Sequence, residues 1–162
     1  MTAESNPATR FWDDISTGER FITGQLGISE DEILTFAREF DPQPYHLDRA
    51  AADASIFGGL CASGWQATAL MMRLLTDALR AQAIAVTGLS GVPGLRWRRP
   101  VFAGDQLCAD ITVTDSEAAS RLAGSGNVML AVTVNNQKDK AVIELEARIL
   151  VAHAHARTAD TE

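Results

Sequence analysis

The longest helical pattern in the chain, about Ala62 to Ala83, constrains the fold more than any other feature. Apolar side chains cover nearly every side of this segment until Asp77 and Arg80. A helix that is apolar nearly all round has to be buried by other parts of the chain. At about 1.5 Å per residue, some 20 residues make a rod of roughly 30 Å, long enough to cross a small domain. The sequence therefore predicts a central helix around which the rest of the chain wraps.

The residues after this helix change to the two-residue period of β-strands. Gly88, Gly91 and Gly94 indicate a loop, and four alternating segments follow, at Leu95–Phe102, Gln106–Thr114, Val128–Asn135 and Val142–Val151. Sequential strands joined by short turns imply an antiparallel sheet with one buried face. Together with the helix they predict an α+β protein with a single hot-dog fold, in which the antiparallel sheet curls around the long central helix.

The segment before the central helix contains a shorter, amphipathic helix. Ser29-Glu30-Asp31-Glu32 is a capping box, and apolar residues recur after it at helical spacing until Pro42 ends the pattern. Arg20 to Ile28 is predicted as an irregular strand because it contains two glycines. Asp48 is predicted to cap a short helical turn.

Length and composition suit one soluble domain. The 162 residues are the length of one domain, predicted at 11–152. The polar ends of the sequence predict a flexible tail at 1–10 and a polar tail at 153–162, which includes His153 and His155. A net charge of −7 offers no basic surface for nucleic acid. No segment resembles a signal peptide or spans a membrane, so we expect a cytoplasmic protein. Cys61 and Cys108 are expected to be buried, reduced thiols, and no metal site is predicted. A curled sheet has an open edge, which predicts a homodimer or a higher homo-oligomer.

The candidate chemistry lies in a stiff turn between the two helices. Asp41 and His46 are separated by two prolines, each of which fixes its own φ and biases the residue before it to an extended or turn geometry. A carboxylate and an imidazole held on such a turn can face one point in space. From the spacing alone, His46 is also consistent with a purely structural hydrogen bond.

This turn resembles the active-site motif of the MaoC-like hot-dog family, the (R)-specific enoyl-CoA hydratases and dehydratases. The family pattern of aspartate, spacer, Asn-Pro, aliphatic residue and histidine stands here as Asp-Pro-Gln-Pro-Tyr-His. Two further family features are Ser63-Gly64 at the start of the central helix and Pro-Val-x-x-Gly-Asp from Pro100 to Asp105. Because Gln43 and Tyr45 depart from the pattern, we expect a divergent acyl pocket.

The resemblance implies a lyase that hydrates 2-enoyl-CoA or dehydrates (R)-3-hydroxyacyl-CoA, with no cofactor besides the coenzyme A of the substrate. Asp41 and His46 would hold a water and exchange its proton as general base and acid. The Gly64 backbone N–H, near a helix N-terminus, would stabilise the thioester oxygen. Ser63 and Tyr45 would contact the substrate. Gly64 is equally consistent with close packing of the helix on a strand.

The only dense basic cluster is a candidate site for the phosphates of coenzyme A. Arg96, Arg98 and Arg99 surround Trp97, and guanidinium groups suit phosphate. Strand alternation predicts Arg96 and Arg98 on one face and Arg99 on the other. Surface arginines stacked on a tryptophan are the alternative.

Two other functions fit the predicted fold. A hot-dog thioesterase would cleave acyl-CoA and would not need the Asp41–His46 spacing. A non-catalytic acyl-thioester-binding subunit would bind acyl-CoA without turnover.

Overall fold

The structure, a computed structural model, describes residues 8–118 and 122–154. Four helices lie within these ranges. They are α1 (Glu30–Phe40), α2 (Pro44–Leu47), α3 (Arg49–Asp53) and α4 (Gly64–Ala81), and a single 3-10 turn precedes them at Trp12–Asp14. The predicted capping box is confirmed, since Ser29 Oγ accepts from the Glu32 N–H at 3.3 Å and Glu32 Oε2 accepts from the Ser29 N–H at 2.7 Å. The predicted cap at Asp48 is confirmed by its hydrogen bond from the Ala51 N–H at 2.8 Å.

One antiparallel sheet packs against α4. Its strands are β1 (Arg20–Ile22), β2 (Leu26–Gly27), β3 (Val86–Gly91), β4 (Arg96–Trp97), β5 (Gln106–Glu117), β6 (Ser125–Asn135) and β7 (Ala141–Ala152). The order is β1-β5-β6-β7-β3, with β2 also paired to β5 and β4 to β7. The long central helix held by this sheet is the predicted hot-dog arrangement.

The core lies between the sheet and one face of α4. The alternating apolar residues of the predicted segment Gln106–Thr114 are all buried in β5; they are Leu107, Ala109, Ile111 and Val113. Ala67, Met71 and Leu75 bury the facing side of the helix. The prediction that the helix is wrapped on nearly every side is wrong for a single chain, because Trp65, Ala69 and Arg73 are exposed on its opposite side.

Two predictions for the sheet are wrong. Of the glycines in the predicted loop, Gly94 lies in a turn, but Gly88 and Gly91 belong to the edge strand β3. The pairing of β3 with β7 shifts register at these two glycines, so they lie at irregularities of the strand instead of replacing it. The strand predicted at Leu95–Phe102 pairs with β7 only at Arg96–Trp97. The next two backbone N–H groups, of Arg98 and Arg99, both point to the carbonyl of Val142, which breaks the ladder before Pro100.

One residue from each predicted tail contacts the domain. Arg10, assigned to the tail, donates its N–H to the Ala83 carbonyl at 2.8 Å. His153 packs edge-on against Trp12, with ring centroids 5.1 Å apart. His155 lies outside the described residues. Among the helices of the described ranges, none has the length and apolar character needed to cross a membrane.

Candidate active site

Asp41 and His46 lie close together in the lining of one cavity. The His46 Nε2 and Asp41 Oδ2 atoms are 3.6 Å apart, and the imidazole is buried while the carboxylate is about one quarter exposed. This separation is longer than a hydrogen bond. One water at ordinary hydrogen-bond distance can therefore contact both atoms from the cavity side.

The local chain explains how the pair is assembled. Asp41 caps the C-terminus of α1, its N–H donating to the Ala37 carbonyl at 3.1 Å. Pro44 takes the first position of α2, where a proline fits because no N–H is needed. The short helix then carries His46 back towards Asp41. The sequence predicts His46 just beyond a helix, but His46 lies inside α2.

A backbone carbonyl fixes which nitrogen of His46 faces the carboxylate. His46 Nδ1 lies 2.7 Å from the Cys61 carbonyl oxygen. Because a carbonyl only accepts, Nδ1 carries a proton, and the Nε2 of a neutral ring keeps its lone pair for the cavity. The Cys61 backbone is itself held by an isolated antiparallel β-bridge to Phe102, in the Pro100–Asp105 motif. Buried Asp105 closes that turn by accepting the Phe102 N–H at 2.9 Å.

Ser63 joins the carboxylate to the N-terminus of the central helix. Its Oγ donates to Asp41 Oδ2 at 2.6 Å and accepts from the Trp65 N–H at 3.3 Å. Ser63 is fully buried. One hydroxyl thus caps α4 and orients the oxygen that faces His46.

Gly64 packs closely against the Trp97 indole. A Cβ placed on Gly64 would lie 2.7 Å from Trp97 Cε2, so glycine is required by packing at this position. Trp97 is fixed there because its Nε1–H donates to Thr68 Oγ1 at 3.1 Å, and Thr68 in turn donates to the Gly64 carbonyl at 2.8 Å. As the first residue of α4, Gly64 has an N–H with no partner inside the helix. Close packing and an available N–H therefore occur together.

The residues surround a cavity of about 360 Å³. Its lining contains Asp41, Tyr45, His46, Ser63, Gly64, Arg98 and Arg99, but not Arg96. The alternation predicted for the arginines is wrong because the chain leaves the strand after Trp97. Arg98 forms an ion pair with Glu144, its Nε donating at 2.6 Å, and Arg99 donates to the Ala141 carbonyl at 2.7 Å.

Several residues that line the cavity have no recognisable signal in the sequence. Phe57 and Trp65 line the cavity but carry no local motif, and Trp97 was recognised only as part of the basic cluster. Cys61 also lines it, with its sulfur 3.9 Å from His46 Nδ1. Burial raises the pKa of this thiol, so Cys61 stays protonated and is a poor nucleophile. The second thiol, Cys108, is half-buried and also free.

The sequence profile of the MaoC like domain matches residues 12–136. A solved MaoC-like dehydratase from Rhodospirillum rubrum is 36% identical with a TM-score of 0.77, covering 89% of this chain and 97% of that protein. The uncharacterized protein YdeM of Bacillus subtilis is 32% identical over 141 residues, which are 86% of this chain and 96% of YdeM. The unliganded R-hydratase PhaJ1 of Pseudomonas aeruginosa is 27% identical with a TM-score of 0.67, and 88% of this chain and 86% of PhaJ1 are covered.

These matches, with the fold and the Asp41–His46 turn, define a hot-dog protein of the hydratase and dehydratase class. The chain belongs to the MaoC-like dehydratase family.

Proposed function

We propose that this protein hydrates 2-enoyl-CoA thioesters and, in reverse, dehydrates (R)-3-hydroxyacyl-CoA thioesters. The observation that carries the proposal is the placement of three groups around one cavity: a histidine with a free Nε2, a carboxylate 3.6 Å from it and a helix-terminal N–H beside them. Hydration of a conjugated thioester needs a base, a proton donor and an anion-stabilising group, and this cavity offers all three.

In the proposed reaction, a water bridges His46 Nε2 and Asp41 Oδ2. His46 accepts a proton as the water oxygen bonds to C3, and the electrons of the C2–C3 double bond move towards the thioester oxygen. The Gly64 N–H stabilises the negative charge on that oxygen. The imidazolium then returns the proton to C2, so that one water has been added across the bond. Asp41, held by Ser63, orients the water throughout.

A thioesterase using Cys61 is less compatible with the site. The Cys61 thiol is kept protonated by burial, and the His46 nitrogen nearest to it already donates to a carbonyl. Neither group is arranged to make a thiolate that could attack an acyl thioester.

We further propose a cytoplasmic homodimer joined through β3. This strand ends the sheet, so one side of its backbone has no partner strand among the described residues. Val86, Leu89 and Val92 are exposed on and just after it. Pairing with a second copy would extend the sheet and cover these side chains. Arg98 and Arg99, at the cavity, are proposed to lie near the phosphates of coenzyme A.

The test is a turnover screen with purified protein. We expect short-chain and substituted 2-enoyl-CoAs to lose the absorbance of the conjugated enoyl thioester without release of free thiol, measured in parallel with a thiol reagent. Loss of the absorbance together with release of free thiol would favour the thioesterase, because hydrolysis also destroys the enoyl thioester. Binding without either change would favour a non-catalytic subunit.

A further inference from the structure

Aromatic side chains gather around the cavity of the proposed active site. Phe, Trp and Tyr make up 6% of the chain, yet four of the sixteen residues that line the cavity are aromatic. They are Tyr45, which is the only tyrosine of the chain, with Phe57, Trp65 and Trp97. This enrichment is not explained by the acid–base chemistry, which uses none of these rings.

Two of the rings flank the catalytic histidine. Tyr45 and Phe57 are in contact, with centroids 5.3 Å apart, and their centroids lie 4.6 Å and 6.3 Å from that of His46. The Phe57 ring is within 24° of parallel to the imidazole. In the proposed reaction His46 works at C3, so these rings lie next to the substituent on that carbon.

The other two rings lie beside the proposed oxyanion site. Trp65 and Trp97 meet edge to face, with centroids 5.3 Å apart and planes at 81°. Trp97 lies against the Gly64 Cα and is anchored by Thr68. The cavity therefore has an aromatic pair near each end of the reacting group.

The aliphatic part of the lining belongs to the hydrophobic core. Ala67, Val101 and Ile143 are buried, and Met71, one helical turn beyond Ala67, is completely buried. Among the described residues, the lining of the cavity ends before Met71 on this side of the helix. A compact, flat group suits such a space better than an extended one.

We propose that the acyl group recognised by this site carries an aryl or similarly flat, conjugated substituent at C3. The inference rests on the proposed function, because that function places C3 next to His46. Aromatic rings favour offset or edge-to-face contacts with one another beyond the gain from buried area. Such contacts with Phe57 and Tyr45 would select a phenyl ring over a saturated group of equal size.

Binding of three CoA thioesters tests the inference without turnover, because each has a nine-carbon acyl group with a saturated C2–C3 bond. They are 3-phenylpropanoyl-CoA, 3-cyclohexylpropanoyl-CoA and nonanoyl-CoA, measured by isothermal titration calorimetry. Because each aromatic pair contributes severalfold in affinity, we expect the phenyl compound to bind about tenfold tighter than either of the others. Phe57→Leu and Tyr45→Leu should each reduce that ratio, while Phe21→Leu, on β1 outside the cavity, should leave it unchanged.

Equal or weaker binding of the phenyl compound by the wild type would overturn the inference, as would an unchanged ratio in both cavity variants. The wild-type comparison needs no variant to fold. Turnover of enoyl-CoAs without a preference for the ring would overturn only this inference. A ring preference in binding, with no turnover of any enoyl-CoA, would overturn only the proposed function.

Discussion

Ser63→Ala is the substitution that best separates the catalytic arrangement from the stability of the fold. The Ser63 hydroxyl makes two interactions, one to Asp41 Oδ2 and one to the Trp65 N–H. Loss of a helix N-cap costs about 1 kcal/mol. Loss of a hydrogen bond to a charged group costs roughly 1.5–3 kcal/mol. Water offsets part of this cost by hydrogen bonding to the Asp41 carboxylate, which is partly exposed.

We therefore expect Ser63→Ala to lower the free energy of unfolding by about 2 kcal/mol. For a domain of this size that corresponds to a fall in Tm of roughly 4–8 °C. The freed carboxylate would no longer hold the water in place, and misplacement on the ångström scale costs on the order of 100-fold in rate. The assays are thermal unfolding and kcat/KM for the best enoyl-CoA found in the screen.

Ser29→Ala is the matched control, since Ser29 caps α1 with the same kind of hydrogen bond but does not line the cavity. It should cost about 1 kcal/mol and leave kcat/KM unchanged. If Ser63→Ala lost stability but kept wild-type kcat/KM, the hydroxyl would be only a helix cap and the proposed orientation of Asp41 would be wrong. An equal loss of activity in both variants would point to destabilisation alone.

Three further predictions concern packing, pH and assembly. Gly64→Ala should displace the Trp97 ring, changing tryptophan fluorescence and lowering kcat/KM at least about tenfold, since a 1 Å misplacement at a site costs up to 100-fold. The control Gly59→Ala, whose Cβ would lie at an ordinary 3.4 Å from Phe102, should change neither quantity. Unchanged fluorescence in Gly64→Ala would refute the close contact. Hydrogen bonds from the Ser29 backbone and hydroxyl lower the pKa of Glu32. Its stabilising contribution, small because solvent screens this exposed carboxylate, should be present at neutral pH and vanish as the pH falls through the carboxyl range; a stability gap between wild type and Glu32→Gln that persists in acid would contradict this. Leu89→Lys on β3 should dissociate the dimer in sedimentation experiments while Ile22→Lys on the opposite edge should not, and a monomeric wild type would exclude the proposed interface.

The parts of the fold that could be predicted are those with a strong local period. The alternation of Leu107, Ala109 and Ile111 fixes the inner face of β5, because a strand that buries one face has only one acceptable register. By contrast, β3 has three exposed apolar positions nearby and two glycines, and it forms through pairing with β7, which lies about 60 residues away in sequence. Its local propensity does not indicate a strand, and its long-range pairing is invisible to a local pattern.

The same distinction applies to the site. Asp41 and His46 could be predicted to meet because the prolines between them restrict the intervening backbone. The contact of Trp97 with Gly64 could not, since it depends on how β4 lies over α4. The Cys61 carbonyl that selects the His46 tautomer is a backbone group, which any residue type would supply. The orientation of the arginines was predicted wrongly because alternation was extended beyond the two residues that pair with β7.

The central claim is that Asp41 and His46 together activate water. Its most direct test is kcat/KM for hydration in Asp41→Asn and His46→Gln, beside Asp48→Asn, in which the neighbouring cap is replaced by an equally good one. We predict that His46→Gln loses on the order of 10²–10⁴ in kcat/KM, as positioned proton transfer contributes, and that Asp41→Asn loses on the order of 100-fold because the water is no longer oriented, while Asp48→Asn retains wild-type activity. Hydration within a few-fold of wild type in either Asp41→Asn or His46→Gln would contradict the account.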